Sequence, residues 1–399
     1  MKTITLCWSL IRKNIVPILI TMLTLTFSIF IFLTLYGQYR YAVYNRDVYA
    51  AAGLEDAVYF MVKAVGDPDL DGDLSKEVQE HLKQFDGFSH VIHYTSSVTE
   101  CGKNLVNAQY YGKDMRDHFK LRVDRGRWLS SEPEHTEAVV GGITWSGVKV
   151  GDTITLTNGV TAEVVGIMGD EVIYPSFNSY SNVFTTQSLF RVNRSMAFIS
   201  LETIPKDIYN NLYNINMPYN FFVVTKTDAT SQEKEELYQY LYSQGLIKDY
   251  NEIMEHSNAM IDEWIRTAFP LPLFLVAIAT INAVCICAVI VKRSMADMSK
   301  YYLIGCTQRR GVGAIVLSLA ALFVVPGVLN LLSVLCFPNF LREPHTAGIN
   351  YILDARCVIP VMLYLAALLV VIAVLPVAMY SRYSPMRFYR KQAVILQFT

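Results

Sequence analysis

Apolar residues gather into four long blocks along the 399-residue chain. Ile15 to Tyr36 carries no charged residue, and similar blocks run from Phe269 to Val291, from about Gly311 to Phe337 and from about Val358 to Tyr380. A helix needs about 20 apolar residues to cross about 30 Å of hydrocarbon, so each block predicts a membrane span. The first block is too long for the apolar core of a signal peptide. It exits through Tyr36-Gly37-Gln38-Tyr39-Arg40, with no Ala-x-Ala-like site, and reads as a retained anchor. Pro326, Pro360 and Pro376 fall in or near spans three and four and favour kinks there.

Between spans one and two the rhythm changes. Gln38 to Leu54 has a helical pattern that continues the first span as a stalk, and Tyr250 to Thr267 leads helically into the second. Leu74 to Phe85 and Ser231 to Leu246 also predict helices. Short strand-like runs occupy 57–65, 88–95, 105–111, 136–140, 152–157, 160–167, 196–201 and 220–226, with Asn158-Gly159 as a hairpin turn between two of them. The expected fold is an α-helical membrane protein with four transmembrane helices and an α+β domain inserted between helices one and two. The expected divisions are residues 1–37, 38–267 and 268–399.

Charge sharpens this picture. Residues 38–267 hold 20 Lys/Arg and 32 Asp/Glu, whereas the rest of the chain holds 14 basic and 3 acidic residues. An acidic middle with basic flanks does not suit nucleic acid, which is met by a basic face. Basic residues near span ends mark the cytoplasmic side. They cluster at Lys2, Arg12 and Lys13, at Lys292, Arg293, Lys300, Arg309 and Arg310, and at Arg382, Arg387, Arg390 and Lys391. The loop between spans three and four has only Arg342 and Arg356, offset by Glu343 and Asp354. Both termini are therefore expected inside and residues 38–267 outside the cytoplasm. Of seven cysteines, only Cys101 lies in the inserted segment, so that domain has no internal disulfide. Cys285 and Cys287 read as small apolar residues of a span. Cys336 and Cys357 flank the last loop, where both a bridge and two thiols stay open.

Chemical motifs are sparse. Asp67-Pro68-Asp69-Leu70-Asp71-Gly72-Asp73 starts like a calcium loop, making Asp67, Asp69 and Asp71 candidate metal ligands. Loop position twelve, however, is Val78, and the alternative is a solvated acidic turn with Asp73 capping the next helix. Gly142 to Lys149 imitates a phosphate loop, but Val148 separates the second glycine from the lysine, so ATP binding by that route is not expected. There is no G-x-S-x-G or H-E-x-x-H motif, and Asn193-Arg194-Ser195 is a glycosylation pattern that arises often by chance. The segment from Lys292 to Arg310 is more informative. Met295, Met298, Tyr302 and Cys306 recur at helical spacing beside Lys300, Arg309 and Arg310. A short amphipathic helix of this kind lies on a bilayer or docks into a partner's groove.

Several of these segments, in order, resemble the permease subunits of MacB-like (FtsX-like) ABC transporters. They are Ser9-Leu10-Ile11-Arg12-Lys13-Asn14, then Arg125-Gly126-Arg127-Trp128-Leu129, Glu137 to Gly141, Lys149-Val150-Gly151-Asp152 with Thr153 to Leu156, and Val164-Val165-Gly166-Ile167. Lys292-Arg293 through Tyr302-Leu303-Ile304-Gly305-Cys306 and Tyr383-Ser384-Pro385-Met386-Arg387 follow. The chain departs at Leu317-Ser318-Leu319, where the family often has an acidic residue, and residues 57–120 and 175–230 carry no family motif. The resemblance implies a non-catalytic subunit of the bacterial cell membrane that pairs with a second permease chain, homo- or heteromeric, and with a cytoplasmic ATPase that binds the ATP. No cofactor is expected on this chain itself. The implied mechanism is mechanotransmission, with export or extraction of a peptide, lipid or lipoprotein. The implied ATPase-coupling residues are Met295, Met298, Tyr302, Leu303, Gly305, Arg12 and Lys13. A regulator of a cell-wall hydrolase and a membrane sensor or adhesion protein without an ATPase are the alternatives.

Overall fold

The computed structural model describes residues 3–62, 68–169, 171–177, 184–208, 220–303, 305, 307–336, 352 and 355–382. It has two compact units, one formed by the two ends of the chain (1–41 and 263–399) and one by residues 42–262. Among the described residues, four helices are long and apolar enough to cross a membrane.

In the first unit a short helix, α1 (Thr3–Lys13), is followed by α2 (Ile15–Ala51), whose 37 residues make it about 55 Å long, well beyond one hydrocarbon thickness. Three further long helices are α7 (Pro270–Leu303), α8 (Gln308–Cys336) and α9 (Ala355–Arg382). Each has a buried stripe: Leu25, Ile29 and Leu33 on α2, Ala283, Cys287 and Ile290 on α7, Ile315 and Phe323 on α8, Leu365 and Ile372 on α9. The opposite faces, including Leu23 and Phe27 of α2 and Phe274 and Ile281 of α7, are exposed apolar surface of the kind lipid covers. Phe32, Tyr36, Tyr39 and Phe269 stack in sequence at centroid distances of 5.9, 6.0 and 5.7 Å. That is an aromatic belt where the first span ends and the second begins. Asn330, one turn past Pro326, donates Nδ2–H to the Pro326 carbonyl at 2.9 Å and to the Thr26 carbonyl of α2 at 3.3 Å. The Cys357 sulfur donates to the Ile352 carbonyl at 3.3 Å.

The second unit is α+β. A four-stranded antiparallel sheet has the order β13 (Gly245–Asp249), β1 (Ala57–Val62), β12 (Asn220–Thr225), β2 (Phe88–Ile92). Central β1 is covered on both faces, which is why its sequence is a continuous apolar run rather than an alternation. Val58 and Phe60 pack with Val78 and Leu82 of α3 (Pro68–Leu82) and with Leu237 and Leu241 of α5 (Ser231–Gln244). Ala57 and Tyr59 face the other way, into the main core with Phe222, Phe177, Phe184 and Phe119. A mixed sheet has the order β3 (Tyr94–Cys101), β4 (Asn104–Tyr111), β11 (Met196–Ser200), β6 (Glu137–Gly141), β8 (Thr161–Ile167), β5 (Arg125–Gly126), with β7 (Thr153–Thr155) also on β8. Its strands contribute Tyr111, Val139, Val165 and Phe198 to the same main core. A two-stranded ribbon, β9 (Val172–Pro175) with β10 (Phe190–Asn193), completes it through Tyr174 and Phe190. This unit also holds α4 (Lys113–His118) and most of α6 (Tyr250–Thr267).

Several expectations change. Residues 88–95 are two strands, β2 and β3, that belong to different sheets. The turn at Asn158-Gly159 closes the expected hairpin, but as a three-residue loop: Leu156 and Val160 pair across it, and Gly159 alone has positive φ (89°). Helix α3 begins at Pro68, so Asp73 lies inside it rather than at its cap. Proline is well placed there, because a first-turn N–H has no helical partner to lose.

Candidate functional site

Within the first unit, the sequence-derived coupling residues fall on two adjoining elements. Helix α1 ends in Arg12 and Lys13, cations at the negative end of its dipole. Asn14 is the single turn residue between α1 and α2, and its Nδ2–H donates back to the Leu10 carbonyl at 3.0 Å. Leu10 is buried in the helix-bundle core together with Met295 of α7. The segment after Val291, expected as a separate short helix, is instead the uninterrupted end of α7, which runs to Leu303. Met298, Tyr302 and Leu303 lie on that helical backbone, Met295 is 4% exposed, and Gly305 forms the turn before α8 with φ of 95°. Arg12, Lys292, Arg293, Lys300, Arg309 and Arg310 are all exposed.

What brings α1 and α7 together was not read from the sequence. Lys13 Nζ donates to Asp297 Oδ2 at 2.9 Å, across 284 residues. Hydrogen bonding to Asp297 raises the Lys13 ammonium above its ordinary value and keeps it charged. A signal for Asp297 was present: it is one of only three acidic residues outside 38–267. Among the described residues the arrangement is a basic surface with one internal carboxylate, of a kind suited to docking.

In the second unit the family-like segments of the sequence meet in the mixed sheet. Arg127 grips Glu137 with two hydrogen bonds, Nη1 to Oε2 at 3.0 Å and Nη2 to Oε1 at 2.6 Å, and the Ser130 N–H donates to Oε2 at 2.8 Å. Burial pushes the Glu137 carboxyl up, but these donors outweigh it and hold it below the ordinary carboxylate value. Arg127 is raised in turn by Glu137. Gly126 has φ of 81°, and a Cβ there would lie 2.3 Å from the Val165 carbonyl oxygen. Lys149 N–H donates to Asp152 Oδ2 at 2.8 Å, closing the turn before β7. These motif residues therefore build and brace the sheet. Of the calcium candidates, Asp69 and Asp71 sit on the helical backbone of α3 rather than in a loop, and Asp67 lies outside the described residues. The segment Tyr383 to Arg387 and the loop residues Arg342, Glu343 and Asp354 also lie outside them.

Comparison with known proteins bears on both units. The family described as MacB-like periplasmic core domain matches residues 18–237, more than half of the chain. No curated protein matches. The periplasmic region of MacB from Actinobacillus actinomycetemcomitans is 16% identical, with 54% of this chain and 94% of that one covered and a TM-score of 0.31. The extracellular domain of the noncanonic ABC-type transporter YknZ from Gram-positive bacteria is 15% identical, covering 47% and 92% respectively, with a TM-score of 0.27. The match begins inside the first long apolar helix and runs through most of the domain that follows it, and the chain belongs to the family of MacB-like ABC transporter permeases.

Proposed function

We propose that this chain is the membrane subunit of an ABC transporter in which a separate cytoplasmic ATPase binds and hydrolyses ATP. Two permease chains pair in the bacterial cell membrane, with both termini in the cytoplasm and the inserted domain outside. The observation that carries this reading is the joining of α1 to the end of α7 through Lys13 and Asp297. It turns two distant segments into one exposed basic surface on which an ATPase can push. Helix α2 supplies a lever, because it continues unbroken well past one membrane thickness. Mechanotransmission follows: closure of the ATPase pair displaces α1 and the end of α7, and the long helices carry that motion outward. The cargo class is an amphiphile, a peptide, lipid or lipoprotein, moved without a catalytic step on this chain.

The test is co-purification in mild detergent with the full chain as bait, wild type against Tyr302→Asp. Wild type is expected to retain an ATPase subunit and the variant to lose it. A wild-type preparation with no ATPase under any condition overturns the permease–ATPase reading in favour of a sensor or adhesion protein. A cell-wall hydrolase bound in place of cargo would move it to the regulator reading.

A further inference from the structure

Helix α1 is held to its neighbours in two chemically different ways. Apolar contact, chiefly along α8, buries one side of it through Cys7 and Leu10. The other hold is directional. Within residues 1–14 and 292–310, Asp297 is the only carboxylate, and it is set among Arg12, Lys13, Lys292, Arg293, Lys300, Arg309 and Arg310. Any of these cations would gain from it; the structure assigns it to Lys13, at 2.9 Å. The partner is not chosen by proximity in sequence. Arg293 precedes Asp297 by four residues and Lys300 follows by three, both spacings at which a helix brings side chains together, yet the 2.9 Å contact crosses to α1. The pair is also open to solvent, with Lys13 54% and Asp297 25% exposed. Such pairs contribute little to overall stability, so fold maintenance does not account for this placement.

We propose that Lys13 and Asp297 form an electrostatic clasp that sets the register of α1 on the end of α7, so that an ATPase meets one surface rather than two independent elements. Asp297 is then a positioning residue: it acts through Lys13 and need not touch the partner. This rests on the ATPase reading above for its purpose, but not for its geometry. Like charge at the two positions opens the clasp, and exchanging the charges closes it again.

The experiment uses the full chain in detergent as wild type, Lys13→Asp, Asp297→Lys, the double exchange, and the conservative Asp297→Glu. Amide exchange of peptides covering 3–13 is read first and needs no partner. Both single reversals are expected to speed exchange at least fivefold, with the double exchange and Asp297→Glu within twofold of wild type. The melting midpoint of the bundle should be the same in all five. ATPase retained in pull-down is read second, falling about tenfold in the single reversals and recovering to at least half in the double exchange. Unchanged amide exchange in the single reversals overturns the clasp, whatever the pull-down shows. Altered and rescued exchange with unchanged ATPase retention overturns its coupling role. If wild type itself retains no ATPase, the reading of the function fails and the coupling role falls with it, while the exchange data still decide whether the clasp exists. A melting midpoint that drops in parallel with exchange makes the pair a fold contact and overturns the proposal.

Discussion

At the scale of single residues, the most consequential contact in the inserted domain is Arg127 with Glu137. The carboxylate is almost fully buried and the guanidinium about half exposed (3% and 53%). Removing one partner of a buried pair strands the other charge, a larger loss than replacing both. Arg127→Ala is therefore expected to destabilise the domain by about 2 kcal/mol, discounted from the range for fully buried pairs because Arg127 meets solvent. Glu137→Gln, which strands no buried charge, should cost less. Chemical denaturation followed by tryptophan fluorescence in a Trp8→Phe, Trp264→Phe background checks the order. The pH dependence has a definite sign. The Glu137 carboxyl is lowered from 4.5, so the unfolded chain takes up its proton first, and the stability present above 4.5 is lost as pH falls through the folded value. His93 is lowered from 6.5 chiefly by burial, with Asp114 pulling the other way, so acidification below 6.5 also favours the unfolded state. The melting midpoint of this unit should fall in two stages on acidification, the upper stage absent in His93→Gln and the lower one absent in Glu137→Gln. The sequence held both residues of the pair as separate family-like segments, but nothing in their spacing said that they touch.

At the scale of elements, long periodic segments were legible and short or paired ones were not. Helix α6 occupies Tyr250–Thr267, the range its pattern predicts, because its buried Ile253, Ser257 and Ile261 recur every four residues. Helix α5 stops two residues early. Gly245 leaves it in an extended conformation, and 245–249 becomes β13, drawn into the sheet by β1. A run that continues a helical pattern gives no local warning of such a pairing. Strands β5, β9 and β10, of two to four residues, escaped for the same reason: partners, not propensity, define them. The start of α5 was decided locally. Thr230 accepts from Glu233 N–H, and Glu233 accepts from Thr230 N–H, a complete capping box. Thr230→Ala is expected to cost about 1 kcal/mol, seen as faster amide exchange confined to the first turns of 231–244.

At the scale of the whole molecule, the four spans and the inserted domain could be read from hydropathy alone, because a membrane demands length and apolarity from each helix independently. The tie between α1 and α7 could not, because a single contact between residues 284 apart leaves no periodic trace. Orientation is the property on which the functional proposal turns, and it can be tested with the chain's own cysteine. Cys101 is the only cysteine in 38–267 and is partly exposed near the β3–β4 turn. In a background with the other six cysteines replaced, Cys101 is expected to react with a membrane-impermeant maleimide in intact cells. Lys300→Cys, at an exposed position beside the clasp, should react only after the inner membrane is permeabilised, once Cys101 itself has been changed to serine. An even number of spans puts the two termini on one side, so these two positions fix the whole topology. The reverse labelling pattern would place the basic surface outside, out of reach of any ATP-driven partner. The mechanism proposed for this chain would then fail even though its family membership would stand.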